Sequence, residues 1–158
     1  MKLTNLDKVK IFVNKHKQSS KSIVLATGVF DVLHQEHNNF LSLAKQAGDI
    51  LIVGLETDSR VKAIKGSNRP INNQNQRLEN MSQTKSADLA FLLPEKFDQQ
   101  QDWENFISYL RPNIYAVSSH TKWLENKRKI TEKFGGKLKI VHQHNPKLST
   151  TKIIKNQN

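Results

Sequence analysis

Two apolar runs, residues 23–26 and 50–55, stand a helix's length apart, and this spacing constrains the fold more than any other feature of the chain. Each run is near-continuously apolar, as parallel strands covered on both faces are, rather than alternating as a half-exposed strand does. Between them Phe40, Leu41 and Ala44 recur at helical intervals, and Gly48 follows where a C-cap glycine belongs. Parallel neighbours need a crossover connection, so the opening unit reads strand, helix, strand.

The same alternation continues along the chain. Leu6, Val9, Phe12 and Val13 give an opening helix within residues 4–16. Short helices are predicted over 58–64 and 76–85, with the polar loop 65–75 between them. Strands follow at 89–93, 114–117 and 138–142. They are separated by a helix over 103–110 that Pro112 ends and a helix over 124–134 that Gly135 and Gly136 close. These elements predict an α/β fold, a doubly wound, Rossmann-like α/β/α sandwich on a five-stranded parallel sheet. The ligand is expected at the carboxyl ends of the strands, near the switch point. The expectation is one domain over residues 1–158, with an N-terminal helix within 1–20 and a C-terminal helix within 149–158.

Absence of cysteine excludes disulfides, thiolate zinc sites, iron–sulfur clusters and cysteine nucleophiles. The lysine-rich stretch 1–20 is broken by charges every few residues, which fits neither a signal peptide nor a membrane span. A cytoplasmic chain with no membrane partner is therefore expected. The net charge of +11 raises nucleic-acid binding. The lysines are dispersed, however, without a basic run interleaved with aromatics, so a nucleic-acid partner is not expected. A basic chain also suits phosphorylated small molecules.

After the first strand comes Gly28-Val29-Phe30-Asp31-Val32-Leu33-His34-Gln35-Glu36-His37. Gly28 lets the backbone approach a phosphate with no Cβ in the way, and the free N–H groups of the next helix present positive potential to an anion. His34 and His37 then suit donation to phosphate oxygens. Two other readings stay open for residues three apart on a helix: a half-buried structural pair, or two zinc ligands awaiting a third from His142, His144 or Asp31. Near the end of the chain, Ser149, Thr150 and Thr151 put three hydroxyls before an apolar helical pattern. One would serve as an ordinary N-cap; three suggest anion binding.

Together these positions resemble the cytidylyltransferase-like superfamily of nucleotidyltransferases, whose signature is G-x-F-D-x-x-H-x-G-H. The likeness covers nearly the whole chain. It includes Ala44-Lys45, Gly48-Asp49, Asp58, Val61, Lys65-Gly66, Arg69-Pro70-Ile71, Arg77 and the Ser149-Thr150-Thr151-Lys152-Ile153-Ile154 string. Lys65-Gly66, Arg69-Pro70-Ile71 and Leu110-Arg111-Pro112 look most like the heptose-phosphate adenylyltransferase branch, with glycerol-phosphate cytidylyltransferase and archaeal FAD synthetase as relatives.

The resemblance implies attack by an acceptor's phosphate oxygen on the α-phosphorus of a nucleoside triphosphate, with release of pyrophosphate. His34, His37, Lys65 and Arg77 are the implied catalytic groups. Gly28, Val29, Phe30, Asp31, Ser118, Ser149, Thr150 and Thr151 join the two histidines in binding the nucleotide, and Asp58 and Lys65 meet the acceptor. No metal ligand is implied in the chain, because Mg²⁺ would travel with the phosphates. AMP transfer from ATP to a sugar phosphate is the leading expectation. Cytidylyl transfer to a polyol phosphate, FMN adenylylation and a nucleotide-binding homologue with impaired catalysis are the alternatives. Superfamily relatives commonly dimerise.

Three departures stand out. Glu36 replaces the motif's second glycine, where a carboxylate would either crowd the nucleoside or turn outward in a helix's first turn. Val117-Ser118-Ser119-His120-Thr121 replaces a glycine-rich segment that reads the base. His142-Gln143-His144 stands where cytidylyltransferases carry an arginine.

Overall fold

The computed structural model describes residues 1–143 and Lys147. Its elements run β1 (Lys2–Leu3), α1 (Leu6–Gln18), β2 (Ile23–Gly28), α2 (Gln35–Gln46), β3 (Ile50–Leu55) and α3 (Asp58–Lys65). They continue through α4 (Gln74–Ser82), β4 (Leu89–Leu92), α5 (Gln100–Leu110), β5 (Ile114–Ser118), α6 (Leu124–Lys133) and β6 (Lys137–His142). The strands form one parallel sheet in the order β1-β4-β3-β2-β5-β6. The sheet thus has six strands where five were expected. The extra one is two residues long, too short for any periodicity, and pairs Lys2 with Ala90 and Leu3 with Phe91. The predicted C-terminal helix lies outside the described residues.

Within the apolar runs the period of two is present but hidden. Ile23 and Leu25 of β2, Ile52 of β3, Leu89 and Phe91 of β4, and Tyr115 and Val117 of β5 face the core beneath α1, α5 and α6. Val24, Ala26, Leu51, Val53, Leu55, Ala90 and Ala116 face the opposite core, beneath α2 and α4. Both faces are covered, so every position is apolar. Asn5 caps α1 by accepting from the backbone N–H of Asp7 and Lys8, which starts the helix with Val9 and Val13 facing the sheet.

The chain winds outward from β2 to β3 and β4, then returns to the other side of β2 with β5 and β6, which makes β2/β5 the switch point. Their pairing stops at Leu25 and Tyr115, although β2 runs on to Gly28 and β5 to Ser118. The two carboxyl ends part there, and the loops after them line a cleft.

Gly48 does not cap α2 in a left-handed conformation as the sequence suggests. The helix ends at Ala47 in the right-handed region. Glycine is needed for closeness instead: a Cβ at position 48 would lie 2.7 Å from Cγ2 of Val24 and 2.8 Å from Oγ of Ser22. Gly48→Ala should therefore destabilise the chain by about 1–3 kcal/mol through overpacking. Urea unfolding would show a lower midpoint with an unchanged slope.

Candidate active site

The cleft encloses about 310 Å³ between the ends of β2 and β5, the first turn of α2 and the end of β6. Thr27, Gly28, Val29, Phe30, Asp31, His34 and His37 line it from one side, Lys65 joins them from α3, and Ala116 to Ser118 form the far wall. At the exit of β2 a Cβ on Gly28 would come within 2.9 Å of the Phe30 ring, and Phe30 itself takes φ 47°. The turn is thus folded tightly on itself, which brings the next residues back over the strand end.

Asp31 fixes that turn. Its carboxylate is buried and accepts from Arg69 Nε at 3.0 Å and from the backbone N–H of Ile71 and Asn72 at 2.8 Å each. Asn72 Nδ2 returns a bond to the Asp31 carbonyl at 2.7 Å. Burial alone would raise the carboxyl pKa. The two N–H donors and the Arg69 guanidinium outweigh it and hold the group below its ordinary value.

His34 is the N-cap residue of α2, yet its ring makes no capping bond. The rings of His34 and His37 stack with centroids 3.9 Å apart. Among the described residues no hydrogen-bond partner meets either ring nitrogen of His34 or Nδ1 of His37. Buried polar nitrogens without partners are costly in water-poor surroundings, and these three belong to side chains lining the cleft at a helix N-terminus, where an anion is favoured. Burial, then the neighbouring His34, pull the His37 pKa down to about 4, against a hydrogen bond to the Val32 backbone. Burial also lowers His34, while Glu36 opposes it. Lys65 is lowered by desolvation and by Arg69, with Asp31 acting the other way.

At the other end Glu36 turns across the cleft rather than outward. Its Oε2 lies 2.9 Å from Nε2 of His142, the last residue of β6. His142 also packs edge-on against Phe40, with ring centroids 6.3 Å apart.

The family model described as cytidylyltransferase-like matches residues 25–156. The chain belongs to the cytidylyltransferase-like family. It is a nucleotidyltransferase. It is 32% identical over 152 residues to the bifunctional protein HldE of Sulfurimonas denitrificans, covering 96% of this chain and 30% of that protein. It is 35% identical over 135 residues to HldE of Aliarcobacter butzleri, covering 85% and 26%. The chain thus spans less than a third of the length of these curated relatives. Among solved structures, the lipopolysaccharide core biosynthesis protein from Thermoplasma volcanium superposes with TM-score 0.62 at 30% identity, covering 79% of this chain and 97% of that one. Pantothenate synthetase from Thermus thermophilus shares the fold, with TM-score 0.67 at 11% identity over 96% of this chain and 66% of its own.

In this nucleotidyltransferase the structure brings Gly28, Val29, Phe30, Asp31, His34, His37, Lys65 and Ser118 to one cleft. Arg77 and Asp58 lie outside its lining. Expected to grip phosphate, Arg77 is instead fully buried and committed: Nε donates to the Asn72 carbonyl at 3.0 Å, one terminal nitrogen to the Val29 carbonyl at 2.9 Å, and the other to Asp58 Oδ1 at 2.9 Å. It braces the cleft floor from behind. Ser149, Thr150, Thr151 and His144 lie outside the described residues. Thr27, Phe40, Ala116, His120 and Thr121 line the cleft without having been singled out as site residues. Phe40 lies on the buried face of α2; for the other four, a place near the carboxyl end of β2 or β5 was the available signal. Among the described residues no three His, Asp or Glu side chains gather to hold a metal.

A strut with no free face should act on stability. Arg77→Met leaves the Val29 and Asn72 carbonyls and the Asp58 carboxylate unanswered, and should cost about 3 kcal/mol, measured by chemical unfolding.

Proposed function

We propose that this nucleotidyltransferase moves AMP from ATP to a small phosphorylated acceptor, a sugar phosphate, and releases pyrophosphate. The observation that carries the reading is the stacked His34–His37 pair, three of whose nitrogens lack a partner among the described residues and belong to cleft-lining rings at the N-terminus of α2. A phosphate oxygen of the acceptor attacks the α-phosphorus, the bond from that phosphorus to the bridging oxygen breaks, and the electron pair leaves with pyrophosphate. Catalysis then rests on in-line placement and on charge stabilisation, with no covalent enzyme intermediate.

His34, His37 and Lys65 take the triphosphate. Of the nearby carboxylates, Asp31 is taken up by Arg69 and two backbone N–H groups, which leaves Glu36, paired with His142, as a single carboxylate facing the cleft. The described chain therefore offers a magnesium ion no carboxylate cage, and Mg²⁺ fits as a companion held by phosphate oxygens and water. When bound it neutralises phosphate charge.

A second hollow of about 330 Å³ suits the acceptor. Consecutive residues Ile64 and Lys65, and again Thr121 and Lys122, line one hollow each. The second is walled by Trp103 and Trp123, with Arg60, Lys122 and Lys127 as cations. Indole faces and cations together match a phosphorylated sugar. Lys127 lies 4.8 Å from the Trp103 ring centre, donates to Thr121 Oγ1 at 3.1 Å, and is pulled down to about 8 by burial, against Glu56. The naming of the Thermoplasma volcanium relative for lipopolysaccharide core biosynthesis supports a carbohydrate acceptor.

The assay is pyrophosphate release with each of ATP, CTP, GTP and UTP and Mg²⁺ against sugar phosphates, polyol phosphates and FMN. ATP with one sugar phosphate should turn over, and His34→Ala should lower kcat by about 10²–10³-fold. Turnover with CTP or FMN instead would overturn the substrate assignment.

The pH behaviour has a definite sign. His37 sits near 4 in the folded chain and near 6.5 when unfolded, so between those values the unfolded state binds more protons. Its contribution to stability is complete above pH 6.5 and falls by about 3 kcal/mol as pH drops to 4. A bound triphosphate reverses the preference by favouring imidazolium. ATP binding near pH 6 should then take up protons, read as a dependence of calorimetric enthalpy on buffer ionisation that His37→Ala reduces.

A further inference from the structure

The Glu36–His142 pair lies in the same cleft as the phosphate-seeking groups but carries the opposite chemistry. The two side chains are 18% and 11% exposed, and both line the cleft. Such a mostly buried pair adds little net stability, since desolvation offsets most of the attraction. Its consequence lies in what it presents to a ligand. His142 is steadied on its other side by the Phe40 ring and by β6, whose end pairs with Ser118. The carboxylate is thus held in place before any nucleotide arrives.

A carboxylate has room for about four hydrogen bonds, and His142 supplies one. Phosphate is excluded as a further partner because like charges repel. A nucleotide carries no cationic group of its own, so the part of it that meets Glu36 is a neutral donor. Glu36 stands between His34 and His37 in the sequence and on the same helical turn, so a nucleotide with its phosphates on the histidines brings its sugar next to the phosphate end. Vicinal hydroxyls donate twice to one carboxylate, the pairing by which acidic side chains read ribose in dinucleotide sites. Ala116 and Val117 on the facing wall are small enough to leave space for the ring.

We infer that Glu36, oriented by His142, binds the ribose diol and makes this site selective for ribonucleotides over deoxyribonucleotides. The inference rests on the nucleotide-binding reading above. It assigns a specificity role to a residue whose type otherwise suggests obstruction.

Calorimetric titration of the full chain with ATP, 2′-deoxy-ATP and 3′-deoxy-ATP, each with Mg²⁺, tests it. The wild-type chain should bind at least one deoxy analogue ten-fold or more weakly than ATP. Glu36→Gly should shrink that ratio to about three-fold or less, and Glu36→Gln, which keeps size and one acceptor, should fall between. His142→Ala should also shrink it, because the carboxylate loses its orientation. Equal affinity of the wild-type chain for ATP and both analogues overturns the inference, as does a ratio that survives in Glu36→Gly. Tighter ATP binding by Glu36→Gly than by the wild type would show obstruction instead. No ATP binding by any variant, each folded by circular dichroism, would remove the nucleotide reading along with it.

Discussion

The Asp31 carboxylate holds together the parts of the molecule on which the cleft depends. It lies just beyond β2, and its donors come from Arg69, Ile71 and Asn72, some forty residues later in the chain. One buried group thereby fixes the turn after β2 and the approach to α4. Arg77 completes the brace, tying Val29 to Asn72 and Asp58. Two charged side chains of opposite sign are almost wholly enclosed, and each is answered by backbone groups as well as by its ion-pair partner. That is the condition under which a buried charge is tolerated. The loop carrying His34 starts from this platform, so the positions of the histidines follow from it.

Electrostatics then divide the cleft. At one end burial disfavours the charged form of two imidazoles, with Lys65 beside them. At the other end a carboxylate is held by an imidazole. A ligand that satisfies both ends carries negative charge at one end and neutral donors next to it, which is the order of groups in a nucleotide. A second hollow, reached through the neighbouring residues Ile64 and Lys122, is lined by Trp103, Trp123, Arg60, Lys122 and Lys127.

Much of this was legible in the residues. Continuous apolar runs separated by amphipathic segments marked the central strands of the parallel sheet, because burial on both faces leaves no other composition workable there, while the edge strand β6 keeps lysines at 137 and 139. The glycine turn and paired histidines marked the cleft, since strand ends at a switch point are where an open α/β sheet binds ligands. Other features were not legible. β1 has only two residues and gains its place from the edge of β4. Gly48 looks like a helix cap and is in fact a contact point with β2. Arg77 has the chemistry of a phosphate ligand, and nothing local reveals that its fork is filled by carbonyls of Val29 and Asn72.

The sequence by itself determined the longer elements, their parallel arrangement and the chemical types available at the strand ends, because periodicity and backbone preference act over a few residues. Tertiary structure alone decided which polar groups are used up and which remain open to a ligand. Asp31 and Arg77 are committed to distant partners, and Glu36 meets a histidine more than a hundred residues away. Among the described residues, both ring nitrogens of His34 and Nδ1 of His37 are enclosed without a hydrogen-bond partner. Hydrogen-bond satisfaction and desolvation depend on what packs around a group, and that is set by the crossing of distant segments rather than by neighbours in the chain.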